Sequence, residues 1–248
     1  MHSPMFTRRC VGWPCADGVM RASIAAAARG YDRTTQARVD SMHPMIRCED
    51  IASHPDFRRL DSIEGLAVDL RYAGINNFSK RVLYREGEHA IDCGFIRREA
   101  AEGLELAVAW LLTQRPGYRL LVLDALRPQR VQEAIWAQAA GTHMEMYFAN
   151  PDAGSVHSYG MAVDVTLLDA QGDECDMGTG FDEMTAASHP VLHAEHLAMG
   201  VLKAAHLVER GWLAAAMSRS GFRGISTEWW HFDFGDRQSV RRYFPRVY

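Results

Sequence analysis

Between residues 97 and 126 the chain sets out a helix, a stop and a buried strand in quick succession. RREAAEGLELAVAWLLTQ (97–114) spaces its apolar residues at helical intervals and runs into Pro116-Gly117, a pair that ends helices. YRLLVLDAL (118–126) is a continuous apolar run of strand length. RPQRVQEAIWAQAAG then reads as a second helix, with Pro128 in its first turn and Gly141 past its end. Further on, MAVDVTLLD (161–169) alternates as a strand and QGDECDMGTGFDE is a polar, glycine-rich loop. Residues 190–210 read as one long helix, GFRGIST as a turn and WWHFDF as a strand. Helices and strands mix without regular βαβ alternation, which predicts an α+β fold rather than a doubly wound parallel sheet.

The whole chain has 248 residues, enough for a substantial core, and a net charge of −4. That charge points to neither nucleic acid nor an anionic membrane surface. No apolar stretch reaches the roughly 18 residues of a membrane span. Its five cysteines, Cys10, Cys15, Cys48, Cys93 and Cys175, match neither a zinc ribbon nor a disulfide scaffold. Reduced thiols and a cytoplasmic location are the plain expectation, with the periplasm as the alternative. Residues 1–47 carry seven arginines against three aspartates, a surplus of +4 that leaves −8 on the remainder. SIAAAARG is too short for the apolar region of a signal peptide. Residues 1–44 are therefore expected to be a disordered extension, with Met42 or Met45 as alternative starts, and residues 45–248 the functional domain.

Two stretches carry the chemistry. In SVHSYGMAVDV, a strand from Met161 puts Ala162, Asp164 and Thr166 on one face and Met161, Val163, Val165 and Leu167 on the core face. Asp164 is then a carboxylate in mid-strand, costly to bury unless paired or metal-bound; a hydrogen bond to a neighbouring turn is the plain alternative. In TEWWHFDF, His231 and Asp233 point one way and Trp230, Phe232 and Phe234 the other, while Glu228 sits in the loop at the strand mouth. Taken together, His157, Asp164 and His231 supply two imidazoles and one carboxylate with a fourth position open, the pattern of a catalytic zinc site. Glu228 would stand outside that set as general base. In DALRPQR, Asp124 and Arg127 lie between a strand and a helix, where an arginine can reach an oxyanion or a substrate carboxylate; Arg130 reads as a surface residue. A rival cluster, His189, His193, Glu195 and His196, has two histidines four apart on a helix but lacks the HExxH order.

SxHxxGxAxD at 155–164, EWWHF at 228–232 and the LRPQR stretch, together with VDLRYAGINNF (68–78) and CGFIRREAAEGLELA (93–107), resemble the zinc D-alanyl-D-alanine dipeptidases of the VanX type. The resemblance covers about three quarters of the chain, from roughly Ile51 to Arg237. It implies a hedgehog/DD-peptidase fold, a small central antiparallel sheet flanked by helices. It implies one zinc ion on His157, Asp164 and His231, Glu228 as catalytic base, and Arg127 stabilising the tetrahedral intermediate. By the same resemblance Ser155 and Asp182 hold the substrate's amino terminus, and Asp124 supports Arg127. Val156 and Tyr159 depart from the small or basic residues expected beside the first ligand, which bears on substrate preference rather than on the chemistry. The implied reaction is hydrolysis of a free D-Ala-D-Ala dipeptide. A D-Ala-D-Ala carboxypeptidase acting on cell-wall stem peptides would keep the same metal and base in an open cleft. An inactive zinc-binding module would need neither Glu228 nor Arg127.

Overall fold

A computed structural model describes residues 44–248, so the expected disorder of residues 1–44 and the alternative start at Met42 concern positions that, save the last of them, lie outside the described residues. Its centre is a five-stranded sheet. In spatial order the strands are β2 (Ala67–Val68), β6 (Arg119–Asp124), β7 (Ala162–Leu168), β9 (His231–Phe234) and β8 (Phe222–Gly224). All neighbours are antiparallel except the short edge pair β2–β6, which is parallel. Two small antiparallel pairs flank it: β1 (Phe57–Arg59) with β5 (Phe95–Arg97), and β3 (Arg85–Glu86) with β4 (His89–Ala90). The helices are α1 (Arg98–Gln114), α2 (Gln129–Ala139), α3 (His193–Ala198), α4 (Ala204–Ser218) and α5 (Arg237–Tyr243).

Strand alternation decides which face becomes core. Leu120 and Val122 of β6, Val163, Val165 and Leu167 of β7, and Phe232 of β9 join the main apolar cluster, packed with Leu104, Ala107 and Leu111 of α1 and Leu213, Ala216 and Met217 of α4. Each fully buried leucine or valine contributes about 1.5–3 kcal/mol. Gly103 lets α1 approach closely, because a Cβ there would lie 2.7 Å from the Phe234 ring. Leu121 and Leu123 point to the opposite face, with Leu168.

The mixed α+β architecture expected from the sequence is present, and the first two helices and the strands β6 and β7 form where their periodicity places them. Two readings need correction. Residues 190–210 are not one helix: a 3-10 turn (Pro190–Leu192) leads into α3, and Gly200, at φ +71°, takes the left-handed conformation that ends a helix before α4 begins. GFRGIST is not wholly a turn either. Phe222–Gly224 pairs with β9, satisfying backbone groups that would otherwise be an unpaired edge of that strand. Among the described residues Cys48, Cys93 and Cys175 are free thiols, whereas Cys10 and Cys15 lie outside them. No helix among the described residues is long and apolar enough to cross a membrane.

Candidate metal centre and active site

One row across three strands carries the charged groups. Asp164 of β7 lies opposite His231 of β9 on one side and Asp124 of β6 on the other. Asp124 reaches that row through a bulge. Val122 pairs with Val165 but Asp124 pairs with Asp164, so two steps on β6 match one on β7. The extra residue turns Asp124 away from the core side that Leu120 and Val122 share and onto the face of Asp164.

His157 comes from a 3-10 turn, Val156–Tyr159, which ends at Gly160 with φ +66°. A Cβ on Gly160 would lie 2.8 Å from the Phe57 ring, so glycine is required there for both conformation and space. The turn is pinned to the start of α2 by a bond from the Arg127 amide to the His157 carbonyl, 3.2 Å. Tyr159 accepts a bond from Arg246 at its hydroxyl and is buried in the main apolar cluster, which gives this bulky residue a structural place.

Three ligand atoms converge. His157 Nε2 is 3.1 Å from His231 Nδ1 and 3.4 Å from Asp164 Oδ1, and His231 Nδ1 is 3.0 Å from that same oxygen. All three side chains are buried. The outer nitrogen of each ring is engaged as a donor. His157 Nδ1 donates to the Ala125 carbonyl at 2.7 Å, and His231 Nε2 donates to Asp233 Oδ1 at 2.9 Å. A carbonyl and a carboxylate can only accept, so in the neutral rings both inner nitrogens carry lone pairs. Two lone pairs and a carboxylate oxygen facing one another repel unless a proton or a cation stands between them. The donor set, its spacing and the outer hydrogen bonds thus fit a metal ion. Among the described residues this is the one group of three histidine, cysteine or acidic side chains so arranged.

The electrostatics agree. Burial alone would push Asp164 up, yet the two imidazoles hold it far below the usual carboxylate range. Burial would depress His231, but the Asp233 and Asp164 carboxylates raise it to about 10. Asp233, against the cost of its own burial, is held to about 2 by His231 and Arg237.

Glu228 lies in the loop before β9 and is buried, not an exposed loop residue. It lines the same cavity as His157, Asp164 and His231. Burial pushes its carboxyl up to about 7, with Asp164 adding to the rise. A carboxyl poised near neutrality can both accept and return a proton.

Arg127 lines the cavity too. Its Nε and Nη2 donate to Asp124 Oδ2 at 2.9 and 2.6 Å, its Nη1 to Gln132 Oε1 at 3.1 Å, and its Nη2 stands 3.5 Å from Asp164 Oδ2. The guanidinium carbon lies 4.9 Å from the centre of the Tyr72 ring. Asp124 is fixed in turn by the Ala125 amide and the Tyr84 hydroxyl. Asp182 adopts φ +58°, a conformation that aspartate tolerates better than most residues. Its carboxylate accepts from the Tyr72 hydroxyl and the Phe78 amide, each at 3.2 Å. Burial, reinforced by Asp164, pushes its proton affinity well up. Ser155 and Asp182 both face the cavity, while Asp124 stands behind Arg127.

The rival histidines do not converge. His193 Nε2 meets Arg210 Nη1 at 2.8 Å and His189 Nε2 meets the Tyr147 hydroxyl at 3.0 Å, so each ring faces a different partner. Burial and the Arg210 charge hold His193 down at about 4. Arg130 pairs with the exposed carboxylates of Glu49 and Glu86. Sequence reasoning assigned no roles to Tyr72, Tyr84, Gln132 or Arg237. Alternation places Asp233 on the His231 face, but the sequence alone gives it no task. Its position two residues after a ligand on a strand was the available signal.

A family model described as D-ala-D-ala dipeptidase, of peptidase family M15, matches residues 56–247. The chain belongs to this peptidase family. Among its relatives, the D-alanyl-D-alanine dipeptidase of Escherichia coli (strain K12) is 36% identical over 168 residues, 68% of this chain and 78% of the relative. The D-alanyl-D-alanine dipeptidase of Enterococcus faecium is 32% identical over 206 residues, 76% of this chain and 96% of the relative. A solved structure of the LdcB LD-carboxypeptidase aligns with a TM-score of 0.42 at 18% identity, covering 76% of this chain and 72% of that one.

Proposed function

We propose that the protein hydrolyses the D-alanyl-D-alanine dipeptide to two D-alanines, with one zinc ion on His157, Asp164 and His231. The observation that carries this reading is the convergence of two inward-facing ring nitrogens and a carboxylate oxygen beside a buried glutamate whose carboxyl is raised to about 7, all in one cavity. Zinc there would act as a Lewis acid on the scissile carbonyl and would make water more acidic. Glu228 takes the proton from the attacking water and returns it to the leaving amine, a double task that suits a carboxyl raised to about 7. Arg127, held rigid by Asp124 and Gln132, steadies negative charge on the former carbonyl oxygen without having to reorganise. Ser155 and Asp182 receive the substrate ammonium group, and Asp124 acts only through Arg127. The cavity volume of about 180 Å³ is small beside the roughly 300–1,000 Å³ of sites for drug-sized ligands, which supports a very short peptide over a stem peptide.

The test is release of alanine by the zinc-loaded protein from D-Ala-D-Ala, L-Ala-L-Ala and a pentapeptide ending in D-Ala-D-Ala. Cleavage of the free D,D-dipeptide alone is the expected result. Cleavage of the pentapeptide would make the enzyme a carboxypeptidase, and zinc binding without any cleavage would leave a non-catalytic module.

A further inference from the structure

A dipeptide offers an enzyme two charged ends and little else, so recognition draws on donors for the carboxylate as well as acceptors for the ammonium, and a cation is the strongest donor for the former. Three arginines line the cavity: Arg127, Arg237 and Arg241. They differ in what their nitrogens already do. Arg127 is buried and directed at Asp124, Gln132 and Asp164. Arg241 gives its Nε and Nη2 to the Gly154 carbonyl. Arg237 is engaged through Nε alone, to Asp233 Oδ2, and among the described residues its Nη1 and Nη2 meet no protein acceptor. Its side chain remains 46% exposed while lining the cavity.

We propose that Arg237 binds the substrate's C-terminal carboxylate through its two terminal nitrogens, an inference that rests on the dipeptide reading above. The geometry suits the task. A guanidinium fixed through Nε presents Nη1 and Nη2 as a two-pronged edge that matches a carboxylate, which a lysine cannot reproduce. Asp233 supplies the fixing and is itself fixed, because its other oxygen accepts from His231. The arginine is thereby held in register with the metal-ligand row, and the C-terminal carboxylate would be set at a defined distance from the bond to be cut. The acidic residue for the other end, Asp182, is anchored by Tyr72 and Phe78 on a different part of the chain. The two recognition groups therefore stand on separate supports, and a substrate must satisfy both.

The experiment compares kcat/KM for D-Ala-D-Ala and for its C-terminal amide in the wild-type enzyme, Arg237→Ala and Arg237→Lys, with bound zinc measured in each. The wild type is expected to prefer the acid. Arg237→Ala should lose about 10- to 100-fold on the acid, mainly through KM, so that the acid-to-amide preference falls to near unity while zinc content is kept. Arg237→Lys should recover only part of it. A preference unchanged in Arg237→Ala would overturn the proposal. So would an equal loss on acid and amide, which would make Arg237 a positioning residue acting through Asp233 and His231. A wild-type enzyme that cleaves neither compound refutes the dipeptide reading itself and the role of Arg237 with it, an outcome distinct from the other two.

Discussion

Two regions of this molecule bring histidines together in sequence or in space, and only one turns their ring nitrogens toward a common point. The segment from His189 to His196 packs three histidines and a glutamate into eight residues, denser than anything elsewhere in the chain. The other set draws on His157, Asp164 and His231, from a turn and two strands. In the dense segment the ring nitrogens face separate partners, Tyr147 and Arg210. In the dispersed set the outer nitrogens are engaged by fixed acceptors and the inner ones are left facing a common point. Proximity in sequence therefore counts for less than the direction in which lone pairs are turned, and that direction is set by the acceptor behind each ring.

The contrast can be broken or sharpened in several ways. The largest effect expected is on turnover: Glu228→Ala should retain the metal yet lower kcat by about three orders of magnitude. Near-normal turnover would remove Glu228 from the chemistry. Next, His157→Ala should weaken metal affinity by more than about 100-fold in competition with a chelator, exceeding what loss of an outer partner costs. Unchanged affinity would shift the centre elsewhere.

A third effect follows from Glu228. Its carboxyl sits at about 7 in the fold, above its ordinary value of 4.5, so its ionisation destabilises the metal-free protein. The penalty is absent below the lower value and complete above the upper one. Glu228→Gln should thus stabilise the metal-free protein by about 1–3 kcal/mol at pH 8, a gain that fades as the pH falls through this window. Denaturant midpoints at two pH values would decide it, and a gain independent of pH would contradict the burial argument. Fourth, with His231 raised to about 10, the metal-free site carries a proton that a cation must displace. Calorimetry in buffers of different ionisation enthalpy should find about one proton released per metal ion bound at pH 8. The smallest effect belongs to the dense segment: His193→Ala should leave metal affinity unaltered, because His193 is already neutral and faces Arg210. A loss of metal there would reverse the comparison.

Much of the site could be read from the chain because strand alternation is a local property. It was enough to separate Asp164 from Val163 and Val165, and His231 from Phe232. The EWWHF and SxHxxGxAxD patterns then carried the family resemblance. What could not be read depends on distant residues. Nothing near Leu123 announces the bulge that turns Asp124 into the row, since a bulge is defined only against the partner strand. The tasks of Tyr72, Tyr84 and Gln132 likewise exist only once Asp124, Arg127 and Asp182 have been brought to them. The overlong helix at 190–210 had a local sign in Gly200, but a single glycine inside an apolar pattern is compatible with either outcome until φ is known.

The row that crosses β6, β7 and β9 also bears on how such a protein comes to life. His231 lies 67 residues beyond Asp164 in the chain, and the two meet only when β9 lays itself along β7. Contacts of such long range are slow to form, because a large loop must close before it is rewarded. His157 and Asp164 lie only seven residues apart, so the third member is the one that depends on distant pairing. The set of His157, Asp164 and His231 is therefore complete only once β9, the last strand of the sheet in chain order, has paired with β7.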